Sequence, residues 1–369
     1  MPWSWWTRPS AAEGRRREGP ARWGDGAGYG PCVDPDADLT TLLDRGERAT
    51  FHGRPMEAVA LLEQAVVLAQ TEGRTTALTR VAWLLGMALA AGGRYGAALT
   101  VLSPLAESGS EPDATRLVYA SLAGASIASV HRQLGRHGVA QQADLTALAL
   151  GEGDDQATAS ALLGLAADAV GLGDADEAGL RVAQALTFLP PEGASVEGAS
   201  VEGAEPASLG DGPWRPWVRV DWVRAEIALL QGHSRDAVLA ATAAVQRAEQ
   251  ASAPRHVAKG LLLLGIAQLH AWRDDPAGAG QTLASQTLDR AASLAEELGA
   301  LPLIWPTRAL LGALGLASEP PVGPLAPDGR GRSDLGAART AVLTIAGDLP
   351  PGVRAEWLAR PDIAALLAR

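Results

Sequence analysis

From residue 38 onward the chain alternates between apolar stretches of helical length and short turns marked by glycine. Gly93-Arg94-Tyr95 separates Val81–Ala91 from Ala98–Leu102, and Gly135-Arg136-His137 separates Leu122–Leu134 from Ala140–Leu150. Gly53-Arg54-Pro55, Gly173-Asp174-Ala175 and Gly232-His233-Ser234 repeat the arrangement. Each of these glycines is followed five residues later by an alanine: Ala58, Ala98, Ala140, Ala178 and Ala237. A glycine closes a helix in the left-handed conformation that other residues avoid. The turn then folds a second helix back antiparallel, and a small residue at the crossing lets the two backbones approach. Leu85-Gly86 and Leu264-Gly265 put another small residue on the first helix of a pair. A glycine there costs about 1 kcal/mol relative to alanine, so a packing requirement is expected at both. No run of alternating β-branched residues competes with this pattern, and the prediction is all-α.

The regular pattern breaks in a few places. A sixth unit starts at Leu264-Gly265, carries Trp272 where the turn glycine should stand, and resumes at Leu283-Ala284. A further first helix is predicted over Leu303–Leu316. Residues 190–213 hold a tandem Gly-Ala-Ser-Val-Glu and read as a flexible insertion. Residues 1–37 carry no period and read as a disordered tail, although the run Asp34/Asp36/Asp38 suits the N-terminal approach to a helix. Residues 317–333 read as a Pro/Gly-rich loop between the arms of the last hairpin, and 334–369 as C-terminal capping helices.

Leu85-Gly86, Gly93, Tyr95 and Ala98 resemble the tetratricopeptide repeat, which combines Leu-Gly, a Gly-x-Tyr turn and a second-helix alanine; Pro190 stands where that family places its closing proline. The resemblance implies a right-handed α-solenoid of antiparallel helical hairpins over 38–316. The turn glycines at 53, 93, 135, 173 and 232 are spaced wider than the standard repeat. They look like the long-helix variant in the sensor arms of MalT-like regulators and related signal-transducing ATPases. The segments Asp289–Leu303 and Leu349–Leu367 are similar to the late repeats and the ending of that group. What the resemblance implies for function is a protein-interaction scaffold or sensor arm in bacterial regulation. It would bind a partner protein or peptide in a concave groove, or alternatively a small effector.

In that family the ligand-facing side chains come from the first helix of each pair. Carried over by register, the candidate groove residues are Glu47, Arg80, Trp83, Arg132, Gln133, Arg219, Trp222, Glu226, Lys259 and His270. Arg80, Arg219 and Lys259 fall at one repeat position and could form a basic strip for an acidic peptide or C-terminal carboxylate. The competing reading makes them ordinary solvated helix starts. Trp83 and Trp222 share another position, where packing between helix layers competes with a binding hot spot. The chain contains no Asn, so the carboxylate clamp of chaperone-binding relatives cannot be complete.

Composition narrows the classes further. A net charge of −11 repels phosphate backbones, so nucleic acid is not an expected partner. The single cysteine, Cys32, excludes an internal disulfide or a multi-cysteine zinc site. Lys259 is the only lysine and lies in no Gly-x-x-x-x-Gly-Lys context, so a phosphate-binding ATPase loop is absent. The Gly24/Gly26/Gly28/Gly30 tract opens no helix, and His131 with His137 lacks metal-ligand spacing. The expectation is therefore a binding protein and not an enzyme, with no cofactor and no metal. The apolar runs at Val81–Ala91 and Leu261–Ala267 are short of a bilayer span, giving a soluble, cytoplasmic expectation with no membrane partner.

Overall fold

The computed structural model describes residues 38–107, 114–192, 214–276, 280–318 and 330–368. The expected tail over 1–37, Cys32 and nearly all of the 190–213 insertion lie outside them. Among the described residues there are α-helices and no strands. They pair as α1 Leu39–His52 with α2 Pro55–Thr71, α3 Thr75–Gly92 with α4 Tyr95–Glu107, and α5 Ala114–Gln133 with α6 His137–Leu150. Next come α7 Asp155–Leu172 with α8 Ala175–Leu186, and α9 Trp214–Leu230 with α10 Ser234–Gln250. Then α11 Pro254–Asp274 packs on α12 Gly280–Leu298, and α13 Leu301–Ser318 on α14 Arg330–Asp348. Two short helices, α15 Pro351–Leu358 and α16 Pro361–Ala368, cap the end. Of the expected Pro/Gly-rich loop over 317–333, helix takes both ends, because α13 runs two residues beyond 316 and α14 starts at Arg330; the rest lies outside the described residues.

The repeat signature has a direct packing basis. All five alanines that follow the turn glycines are fully buried at helix crossings. A Cβ on Gly86 would stand 2.4 Å from Leu102 Cγ, and one on Gly265 2.6 Å from Leu288 Cγ. Leu102 and Leu288 are themselves fully buried and cannot withdraw, so the glycine admits a leucine from the second helix. Gly93, Gly135, Gly173 and Gly232 adopt positive φ as expected, but Gly53 does not, with φ −126°. There the following Arg54 is extended and Pro55 occupies the first helical position, so the proline, not a left-handed glycine, sets the turn. Helix starts are capped by Asp38, Asp154 and Asp174, whose side chains accept from Thr41 N, Ala157 N and Glu177 N.

α3 is long and apolar enough to cross a bilayer by length and composition, contrary to the sequence estimate. It packs between α2, α4 and α5, where nine of its residues are buried. That apolar character is used inside the solenoid.

The two ends of the superhelix meet. α13 packs on α3, α14 on α4, and α1 on α11. One continuous core therefore joins Leu62, Leu84 and Leu102 from early helices to Ile345, Leu349 and Trp357 from late ones. Polar contacts seal this closure. The Asp348 carboxylate accepts from Gly96 N at 2.7 Å, Ala97 N at 3.1 Å and Arg94 Nε at 3.0 Å, capping α4 from across the ring. Arg136 pairs with Glu356 at 3.2 Å, and His52 Nδ1 donates to the Ser252 carbonyl at 3.2 Å.

Candidate functional site

Where the ring closes, the inner face of the solenoid lines a central, partly open cavity of about 290 Å³. Every first helix of a pair contributes to its wall, from Phe51 on α1 through Trp83, Leu122, Ser160, Arg215 and Arg255 to Trp305 on α13. The wall is apolar between its charges, with Met87, Leu163, Val223, Leu262 and Ile266 among the lining residues. That mixture of apolar wall and a few polar groups is what small-ligand pockets present.

The charges are unbalanced. Arg132, Arg215, Arg219, Arg255, Lys259 and Arg360 line the cavity, against Glu226 as the carboxylate. Arg360 is held by Asp362, at 2.7 Å from Nη2. Arg132 belongs to a buried network: its Nε donates to Asp168 Oδ1 at 2.8 Å, and its Nη2 reaches Asp144 and the Gly164 carbonyl. Both carboxylates are fully buried, and His137 Nδ1 lies 3.8 Å from Asp168. Burial pushes the Asp144 carboxyl well above the usual range, with Arg132 pulling the other way. A carboxylate pair beside one guanidinium is a charge arrangement held together by that guanidinium.

Among the described residues, the other four cations have no carboxylate at ion-pair distance. Arg219 donates to Ser160 Oγ at 2.9 Å and to the Ser160 carbonyl at 3.0 Å. Arg215 lies over the Phe51 ring, 4.9 Å from its centroid, and 3.9 Å from Met87 Sδ. Lys259 Nζ sits 4.1 Å over the Trp222 ring. Arg255 Nε is buried without a hydrogen-bond partner. Burial, then Arg219 and Arg255, push Arg215 down to about 9, while burial and Arg132, opposed by Asp144, push Arg219 to about 10. An arginine stays protonated at working pH, so this depression is a cost carried by the folded chain and not a loss of charge. Burial lowers Lys259 to about 8, opposed by Glu226.

Part of this wall is an aromatic stack. His256 is stacked on Trp222 at 5.4 Å and meets Trp214 edge-on at 4.8 Å. Burial first, then Arg255, Arg215 and Lys259, push its pKa well down, so it is neutral at pH 7. The unfolded chain takes up a proton at this residue near pH 6.5 while the folded chain does not. Stability is therefore expected to fall as pH drops below 6.5, by up to about 1.4 kcal/mol per pH unit from this residue. His131 and His270 are shifted down by burial as well and act in the same direction. Urea unfolding of the wild type and His256→Phe at pH 7 and pH 5 checks this: the variant should lose less stability on acidification.

Of the sequence candidates, Trp83, Arg132, Gln133, Arg219, Trp222, Glu226 and Lys259 line the cavity. Glu47, Arg80 and His270 do not. Arg80 is paired with buried Glu47, so the basic strip does not extend onto α3. Adjacent first helices bring the two residues together, which a spacing of 33 positions does not reveal. Trp83 is 1% exposed, donates to Ser126 Oγ at 3.3 Å and packs on Phe51 and Tyr119; it serves chiefly as packing. Arg215, Arg255 and His256 were missed. A signal was available for the arginines: Arg215/Arg219 and Arg255/Lys259 are i,i+4 pairs at matching positions of α9 and α11.

No family model and no curated protein matches the chain in sequence. In structure it is similar to a Rap protein complexed with competence and sporulation factor, with a TM-score of 0.51 and 11% identity. That match covers 89% of this chain and 80% of the other. The shared feature is the fold, a tetratricopeptide-like helical-repeat solenoid.

Proposed function

We propose that this chain is a non-enzymatic interaction protein of bacterial regulation, which binds a short acidic segment of a partner, such as a C-terminal carboxylate, on the inner face of its superhelix. The observation that carries this reading is the basic wall formed by α9 and α11 on the inner face of a chain that is acidic overall. A folded domain does not fit a cavity of about 290 Å³, so the bound part of a partner is a few residues long. The Rap protein, a distant structural neighbour, was solved with its factor, which is in keeping with ligand binding by this fold. The long repeat period suits a sensor arm of the MalT-like kind.

The closed ring favours a second reading, a sensor for a small effector. A cavity near the lower end of the usual ligand-pocket range holds a metabolite more readily than a peptide. A thermal-shift screen with an acidic-peptide library and a metabolite library tests both. Stabilisation by short acidic peptides supports the first reading. Stabilisation by metabolites alone replaces it with the second. Turnover of any screened compound would overturn the non-enzymatic reading.

A further inference from the structure

Two neighbouring helices carry the same unfavourable arrangement. α9 presents Arg215 and Arg219, and α11 presents Arg255 and Lys259, in each case one turn apart and at the same positions counted from the helix start. Like charges at i,i+4 destabilise a helix, and here two such pairs face one cavity. Each of the four side chains is partly buried, and the protein packed around it lowers its pKa, so an unpartnered charge there is costly. Their present partners are a serine hydroxyl and carbonyl, a thioether, and the faces of Phe51 and Trp222. Arg255 Nε and the indole Nε1 of Trp222 are buried donors that no acceptor meets. Among the described residues Glu226 forms no ion pair with any of the four; its carboxylate favours the charged form of Lys259, and one such charge does not balance four.

We infer that the α9–α11 wall is a binding site for a compact ligand carrying two or more negative charges on phosphate or carboxylate oxygens, gripped by Arg215, Arg219, Arg255 and Lys259. The assignment rests on the reading of the cavity as the ligand site. Guanidinium forks match such oxygens two at a time, and Lys259 adds a point charge. A ligand with one charge would leave the wall substantially positive, whereas a dianion or trianion brings it near neutrality with Glu226 included. Trp222 and Phe51, beneath Lys259 and Arg215, keep the cationic groups oriented.

The test is a thermal-shift and calorimetric titration of the full chain at pH 7 with pyrophosphate and with succinate, sodium chloride holding ionic strength constant. Saturable binding of either anion is expected. Pyrophosphate alone would mark a phosphate ligand, succinate alone a dicarboxylate. Lys259→Met and Arg255→Met should each weaken the binding at least about tenfold, while Lys259→Arg retains it. Both methionine variants should also melt higher than wild type without ligand, because each removes a repelled charge. A cation with a purely structural role gives the opposite result, a lower melting temperature with anion binding unchanged, and would overturn the assignment. So would the absence of saturable binding by either anion. Neutral fragments in the same assay judge the cavity separately. If one binds and is lost in Trp222→Leu while neither anion binds, the anion site falls and the cavity reading stands. If no compound of any charge binds, both fall.

Discussion

Arg132→Met is expected to lower the unfolding free energy by about 3–5 kcal/mol, the range found when one partner of a buried ion pair is removed. The guanidinium is the group that Asp144 and Asp168 share, and both carboxylates are fully buried. Without it, at least one must take up a proton or the surrounding helices must open to water. Arg132→Lys should fail to rescue, because a single ammonium cannot reach both carboxylates and the Gly164 carbonyl in the geometry of the fork. Adding Asp144→Asn to Arg132→Met should recover part of the loss, since it removes the charge that burial disfavours most. Urea unfolding of the single and double variants gives the coupling energy. If Arg132→Met proves as stable as wild type, the network is not what joins α5, α6 and α7.

Gly96→Ala is expected to cost about 3 kcal/mol, at the upper end of the range for overpacking. A Cβ on Gly96 would stand 1.9 Å from the Asp348 carbonyl oxygen, a backbone atom that moves only if α14 moves. Displacing α14 also breaks the three hydrogen bonds by which Asp348 caps α4. The ring should loosen, which small-angle scattering would read as a larger radius of gyration. The control lies one repeat further on. Gly138 holds the same place in α6, and a Cβ there meets nothing within 4 Å. Gly138→Ala should therefore be neutral or stabilising by up to about 1 kcal/mol, since alanine is the better helix former. Equal losses at the two positions would mean that closure at Asp348 contributes little.

Much of the fold was legible because its signals are local. Four of the turn glycines close their helices at positive φ, the alanines five residues after them are fully buried, and Gly86 and Gly265 each stand against a leucine of the second helix of their hairpin. Gly53 is the exception, and Pro55 two residues later is the visible reason. The site was legible in part. Register placed Arg219, Trp222, Glu226 and Lys259 on the inner face, because the inner face is a property of the first helix in every repeat. It could not separate them from Arg80, whose charge is taken up by Glu47 on a neighbouring helix.

The sequences Gly93-Arg94-Tyr95-Gly96 and Gly135-Arg136-His137-Gly138 differ at one position, and both build the same turn and helix start. By itself, then, the sequence determined the repeat: where most helices end, how each folds on the next, and that the first helix of each pair faces inward. Only the tertiary structure decided that the superhelix returns on itself, so that one of these glycines meets Asp348 and the other meets solvent. The same closure turned the expected basic groove into a cavity whose wall carries four cations with no ion-pair partner among the described residues. Closure depends on contacts between the first and last repeats, more than 200 residues apart, summed over small rotations between successive hairpins. No single repeat encodes that sum, and so it could not be read from any of them.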